Sequence, residues 1–125
     1  MVVTTLRQNE NLGLDPDRMT ELYVQLGETG AEDVICRAME ELAMKLADIH
    51  DVQMIADRNL LQQSARGVAE LAGQIGLTSL SRVALDVDYC LNFNDHAAKA
   101  ATMARMIRIG EKSLTAVWDY RDMSV

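Results

Sequence analysis

The stretch "SARGVAELAGQIGL", Ser64 to Leu77, decides how this chain is read, because it is helical in pattern yet carries Gly67, Gly73 and Gly76. Leu61, Ala65, Val68, Ala72 and Ile75 recur through it at the spacing of one α-helical face. Each interior helical glycine costs about 0.5–1 kcal/mol relative to alanine. Gly76 is a helix stop, since "LTSL" at 77–80 starts a new apolar stripe directly after it. Gly67 reads as a tolerated exposed glycine. Beside it, Arg66 points about 100° away from Ala65 on the core stripe and so faces solvent.

Working outward, Asp57 is placed to cap the start of this helix, and Thr78 or Ser79 to cap the next. That next helix carries Leu80, Val83/Ala84, Val87 and Cys90/Leu91, and "NFND" at 92–95 closes it. Upstream, Ile35, Ala38/Met39, Leu42, Leu46 and Ile49 mark a helix from about 31 to 54, with Glu32, Asp33, Glu40, Glu41, Lys45 and Asp48 mostly off the stripe. Before it, "DPDRMTELYVQLG" at 15–27 predicts a short helix with Asp15 as N-cap, Pro16 at the first position and Gly27 as its stop. A last helix runs from about 96 to 121, with Ala97, Ala101, Ala104, Ile107/Ile109, Leu114 and Trp118 on its apolar side. Residues 1–13 lack periodicity and read as a flexible lead-in to one domain over 14–122.

The pattern predicts an all-α fold, an antiparallel up-down four-helix bundle with a short extra N-terminal helix across one end. The expected shared core is Ile35, Leu42, Leu46, Leu61, Val68, Ala72, Val83, Val87, Leu114 and Trp118.

At 125 residues the chain supports a single core. With 12 Lys+Arg against 19 Asp+Glu, its formal net charge is −7, which disfavours nucleic-acid and anionic-membrane partners. No apolar run approaches the roughly 18 residues of a membrane span, and no secretory pattern is visible, so the expected location is the cytoplasm. Cys36 and Cys90 are isolated and are expected as small buried thiols of a reducing compartment.

Chemistry is sparse. His50 and His96 lie near helix ends with no serine or cysteine partner at a catalytic spacing. Glu40 and Glu41 point about 100° apart and lack an ExxH companion, so they read as a solvated acidic face. "GQIG" at 73–76 lacks the Lys and Ser/Thr of a phosphate loop and follows a helix rather than a strand. No catalytic, cofactor-binding or metal-ligating residue is expected, and the chain is not expected to be an enzyme.

From Ala72 to Ala84, "AGQIGLTSLSRVA" resembles the end of the signature of histidine-containing phosphotransfer (Hpt) domains. Those are four-helix bundles in which one exposed histidine passes a phosphoryl group to or from a receiver-domain aspartate. Their pattern is His-x-Leu-Lys-Gly, with a further glycine ten positions after the histidine and then a new helix. Counting back ten from Gly76 lands on Arg66, with Val68, Ala69 and Glu70 in the leucine, lysine and glycine places. A second register sets "ARG" at 65–67 on Leu-Lys-Gly and Gln63 at the histidine. It then needs three extra residues inside a helix, rotating the following stripe by about 60°. Neither register supplies a histidine. The resemblance covers roughly residues 14–120 in layout, with Asp57 at the usual helix start and Gly73 and Gly76 at the close-packed helix end.

The resemblance implies a degenerate Hpt-like module that binds a receiver domain or histidine kinase without carrying phosphate, as a monomer or weak homodimer. Its partner-docking face would hold Gln62, Arg66, Ala69, Glu70 and Gly73, all on one side of a helix. An Arg66–Glu70 pair is the local alternative for those two charges. Two other functions stay open: phosphotransfer through His50 or His96, and a structural bundle that dimerises through apolar surface.

Overall fold

Asp15 opens the first helix: its carboxylate accepts the Asp17 amide at 3.0 Å, and Pro16 takes the first helical position, where no N–H is needed. The computed structural model describes residues 13–49 and 56–124. Four helices lie wholly among the described residues: α1 (Pro16–Asp48), α2 (Arg58–Gln74), α3 (Thr78–Cys90) and α4 (His96–Ser124). The fold is all-α, and no strand occurs among the described residues. Residues 1–12 of the expected lead-in, and His50, lie outside the described residues.

The expected short first helix and its successor form one helical span. It is broken at Gly27, whose φ of 75° and ψ of 174° are not helical. Gly27 therefore interrupts the helix as its sequence context suggests, but the chain resumes helical geometry directly afterwards. Asp57 caps α2 as expected, accepting the Leu60 amide at 3.1 Å, and Asp95 caps α4 by accepting that of Ala98 at 3.0 Å.

α1 packs on α2 and α4, and α3 packs on the same two helices, so the four close a ring. Ile35, Leu42 and Leu46 of α1, Leu61, Val68 and Ala72 of α2, and Val83 and Val87 of α3 are buried together. Each fully buried aliphatic side chain contributes about 1.5–3 kcal/mol of transfer free energy. Removing any of the larger ones would also leave a cavity.

On α4 the buried side differs from the expected one. Met103, Met106, Gly110, Ser113 and Val117 face the core, while Leu114 is half-buried and Trp118 is 51% exposed. The observed face is displaced by about one residue, or 100° of helix rotation. Its cause is a close approach: a Cβ on Gly110 would stand 2.5 Å from Leu46 Cδ1. A tryptophan turned inward would hold α4 away from α1 and forbid that contact, whereas two unbranched methionines fill the irregular gap beside it.

The start of α3 departs from expectation too. Leu77, not Thr78 or Ser79, is its N-cap and has no side-chain acceptor to offer, while Thr78 Oγ1 donates to the Gly13 carbonyl. The Thr78 amide also donates to Gly13 O (2.8 Å), and the Asp15 amide donates to Gly76 O (2.8 Å). Leu14 and Leu77 thereby form an isolated antiparallel bridge. Arg18 reinforces it from the first turn of α1, donating through Nε to the Gln74 carbonyl at the end of α2 (2.9 Å). Gly76 must be glycine here: its φ is +84°, and a Cβ would lie 2.8 Å from Asp15 O. A strap of three residues so satisfies groups that α2 and α3 leave open at their adjoining ends.

Candidate docking face

The α2–α3 seam is held by polar side chains along its outer edge. Arg58 Nη2 donates to Asn92 Oδ1 (3.3 Å). Gln62 Nε2 donates to the same oxygen (3.3 Å) and to the Asp88 carbonyl (3.4 Å). Further along, Ser81 Oγ donates to the Ala69 carbonyl (2.9 Å). These contacts step back along α3 as they advance along α2, the order that a short turn at 75–77 requires.

Arg66 belongs to this seam. Its Nε donates to Asp88 Oδ2 at 3.1 Å, and the arginine side chain is 64% exposed against 19% for the aspartate. The local Arg66–Glu70 pair is not formed. Asp88 offers a carboxylate fixed on the neighbouring helix, where its Oδ1 is buried without a hydrogen-bond partner among the described residues. Glu70 would have to be reached from along the same exposed helix face. Among the described residues only one of the guanidinium's five N–H groups is used, which leaves its terminal nitrogens in the fork that suits a carboxylate or phosphate.

Of the other expected docking residues, Glu70 and Gly73 are exposed on α2 and Gln62 is half-buried, its amide engaged by α3. Ala69 is turned inward and buried, so it contributes its carbonyl to the seam rather than a side chain to the surface. A Cβ on Gly73 would come no nearer than 3.7 Å to Ser81 Oγ, so internal packing does not demand glycine there. Gly67 faces α1, where Lys45 Cε lies 3.0 Å from where its Cβ would be. The lysine's aliphatic stem covers the helix at that point.

Three residues that the sequence reading missed complete the surface. Leu85, Tyr89 and Phe93 are exposed at 53%, 66% and 55%, one turn apart along α3 and just beyond it. The Tyr89 and Phe93 rings stack at 5.1 Å with a 55° tilt. Their spacing is a second apolar line beside the Leu80–Val83–Val87 stripe, and it was available in the sequence. The partnership of Arg66 with Asp88 was not, because 22 residues separate them.

No histidine lies on α2. His96 is exposed at the first residue of α4. Glu40 and Glu41 are both exposed, as a solvated face requires, and no cluster of potential metal ligands occurs among the described residues. Neither Cys36 nor Cys90 is in a disulfide, and both are half-buried rather than fully buried, with Cys90 Sγ 3.7 Å from Thr102 Oγ1. No helix among the described residues is long and apolar enough to cross a membrane. No protein-family model matches the chain, and neither a curated protein nor a solved structure matches it.

Proposed function

We propose that this chain is an Hpt-like docking module of a phosphorelay, binding a receiver domain or its kinase through the α2–α3 seam without carrying phosphate. One observation carries the reading: at the place where the Hpt pattern asks for the accepting histidine, an exposed arginine stands on a polar seam bordered by Leu85 and Tyr89. Guanidinium stays protonated and is not a nucleophile, so a phospho-intermediate cannot form on it. It is suited to meeting the acidic pocket of a receiver, where a true phosphotransfer domain presents an imidazole. Such a protein would compete with genuine phosphotransfer domains and damp a relay by occupancy. The module is not an enzyme in this reading.

The test uses receiver domains encoded near the gene for this chain. One of them should bind by titration calorimetry, and Arg66→Glu should weaken the complex by about 1–3 kcal/mol, as expected for charge reversal near an interface centre. Incubation with acetyl phosphate or a phosphorylated receiver should leave no acid-labile phosphate on the protein. Stoichiometric phosphate on His50 or His96 would overturn the proposal, and so would a receiver complex indifferent to Arg66→Glu.

A further inference from the structure

From His96 to Gly110, α4 holds Lys99, Arg105 and Arg108 and no acidic residue, in a chain where Asp+Glu outnumber Lys+Arg by 19 to 12. One face of this segment is not covered by any element among the described residues. Ala100, Met103, Ala104 and Ile107, with Ile49 from the end of α1, line an apolar groove of about 620 Å³. His96 and Lys99 stand at one end of it and Arg108 at the other. Neither Lys99 nor Arg108 is in an ion pair among the described residues. The lining positions recur at helical spacing, so the groove follows one helical face for about 18 Å, the twelve steps from His96 to Arg108 at about 1.5 Å each.

We propose that this groove is a second docking site and that it takes an amphipathic helix of a protein partner whose acidic residues flank its apolar face. The site is independent of the α2 surface, since α4 packs against α3 and α1. Charge selects the occupant. A second copy seated by two-fold symmetry would set the Lys99 and Arg108 cations of one copy against those of the other, which repel. A single-carboxylate amphiphile would engage the cations at only one end. A flat anionic bilayer fits a concave lining poorly, whereas a helix of about three turns fills its length and meets cations at both ends.

The probes are two peptides of roughly 16 residues with the same leucine face, one flanked by Glu and one by Lys. They are titrated into the full chain labelled at its methionine methyls and followed by NMR. The Glu-flanked peptide should bind saturably, shift the Met103 resonance, and bind at least about tenfold more tightly than the Lys-flanked one. Lys99→Glu with Arg108→Glu should reverse that preference, and Lys99→Gln with Arg108→Gln should abolish it, with Arg66→Glu leaving it intact. Equal binding of the two peptides, an unmoved Met103 signal, or a preference that survives charge reversal overturns the proposal. So does binding to phosphatidylglycerol vesicles in place of peptide, or self-association that the charge-reversed variant loses.

Discussion

α2 and α4 are both long helices of one bundle, but they divide their surfaces in opposite ways. α2 gathers Leu61, Ala65, Val68 and Ala72 on the core side and turns Arg66, Glu70 and Gly73 outward. α4 sends Met103, Met106, Gly110, Ser113 and Val117 inward, and leaves Ala100, Ala104 and Trp118 in solvent. The core side of α4 is thus hardly more apolar than its outer sides. In α2 hydrophobicity chooses the buried face, since any other rotation would expose several aliphatic side chains at about 25 cal/mol per Å². In α4 the choice falls to shape, through the approach of Gly110 to Leu46.

The contrast breaks most sharply on truncation. Leu61→Ala should destabilise the fold by about 2–5 kcal/mol in chemical denaturation, because Leu61 is fully buried on the helix whose face is set by burial. A loss under 1 kcal/mol would mean that the α2 stripe does not set the packing. The two glycines form the next test. Gly110→Ala should cost about 1–3 kcal/mol by forcing Leu46 out of place, even after the gain in helix propensity. Gly67→Ala should be neutral or stabilise by up to about 1 kcal/mol, because only the flexible end of Lys45 has to move. Equal effects of the two substitutions would remove the distinction between a helix placed by shape and one placed by burial.

A smaller effect is expected at Ser113, whose hydroxyl is fully buried without a partner among the described residues. Ser113→Ala should raise the melting temperature, by a stabilisation of about 1 kcal/mol, since it removes an unsatisfied group at little cost in volume. A lowered melting temperature would show that the hydroxyl is bonded in solution. Smallest is the ion pair on α2. Arg66→Ala should cost about 0.5–1 kcal/mol and Glu70→Ala nothing measurable, because the arginine is paired with Asp88 and not along its own helix. Equal losses in thermal melts would place the arginine on Glu70 instead.

What was legible in the sequence follows the same division. The α2 stripe, its Asp57 cap and the Gly76 stop are local signals, each readable within a few residues, and all three hold. The α4 face was misplaced because Ile107, Leu114 and Trp118 outweigh Met103, Met106 and Gly110 on any hydrophobicity count, while a glycine's value as a contact point depends on the helix opposite. The α3 cap was misassigned: Leu77 holds the cap position, and the Thr78 hydroxyl bonds a carbonyl 65 residues away. The docking surface was half visible: Arg66 and the Leu85–Tyr89–Phe93 line could both be read from periodicity, whereas the pairing of Arg66 with Asp88 needed the fold to bring α3 alongside.

The strap at Gly13–Asp15 has a consequence for how the molecule opens. Gly27 divides α1 into a portion tied by the strap and Arg18 to the ends of α2 and α3, and a longer portion that carries Ile35, Leu42 and Leu46. The first portion shows Val24 and Leu26 to solvent and buries only Met19 and Leu22 before the break, so it is the smaller cooperative unit and can detach while the rest stays folded. When it detaches, the Thr78 amide loses Gly13 O and the Gln74 carbonyl loses Arg18 together. Amide hydrogen exchange at Thr78 therefore reports the opening of a segment more than fifty residues away in the chain, and its rate measures how firmly the first helical turns are latched to the turn between α2 and α3.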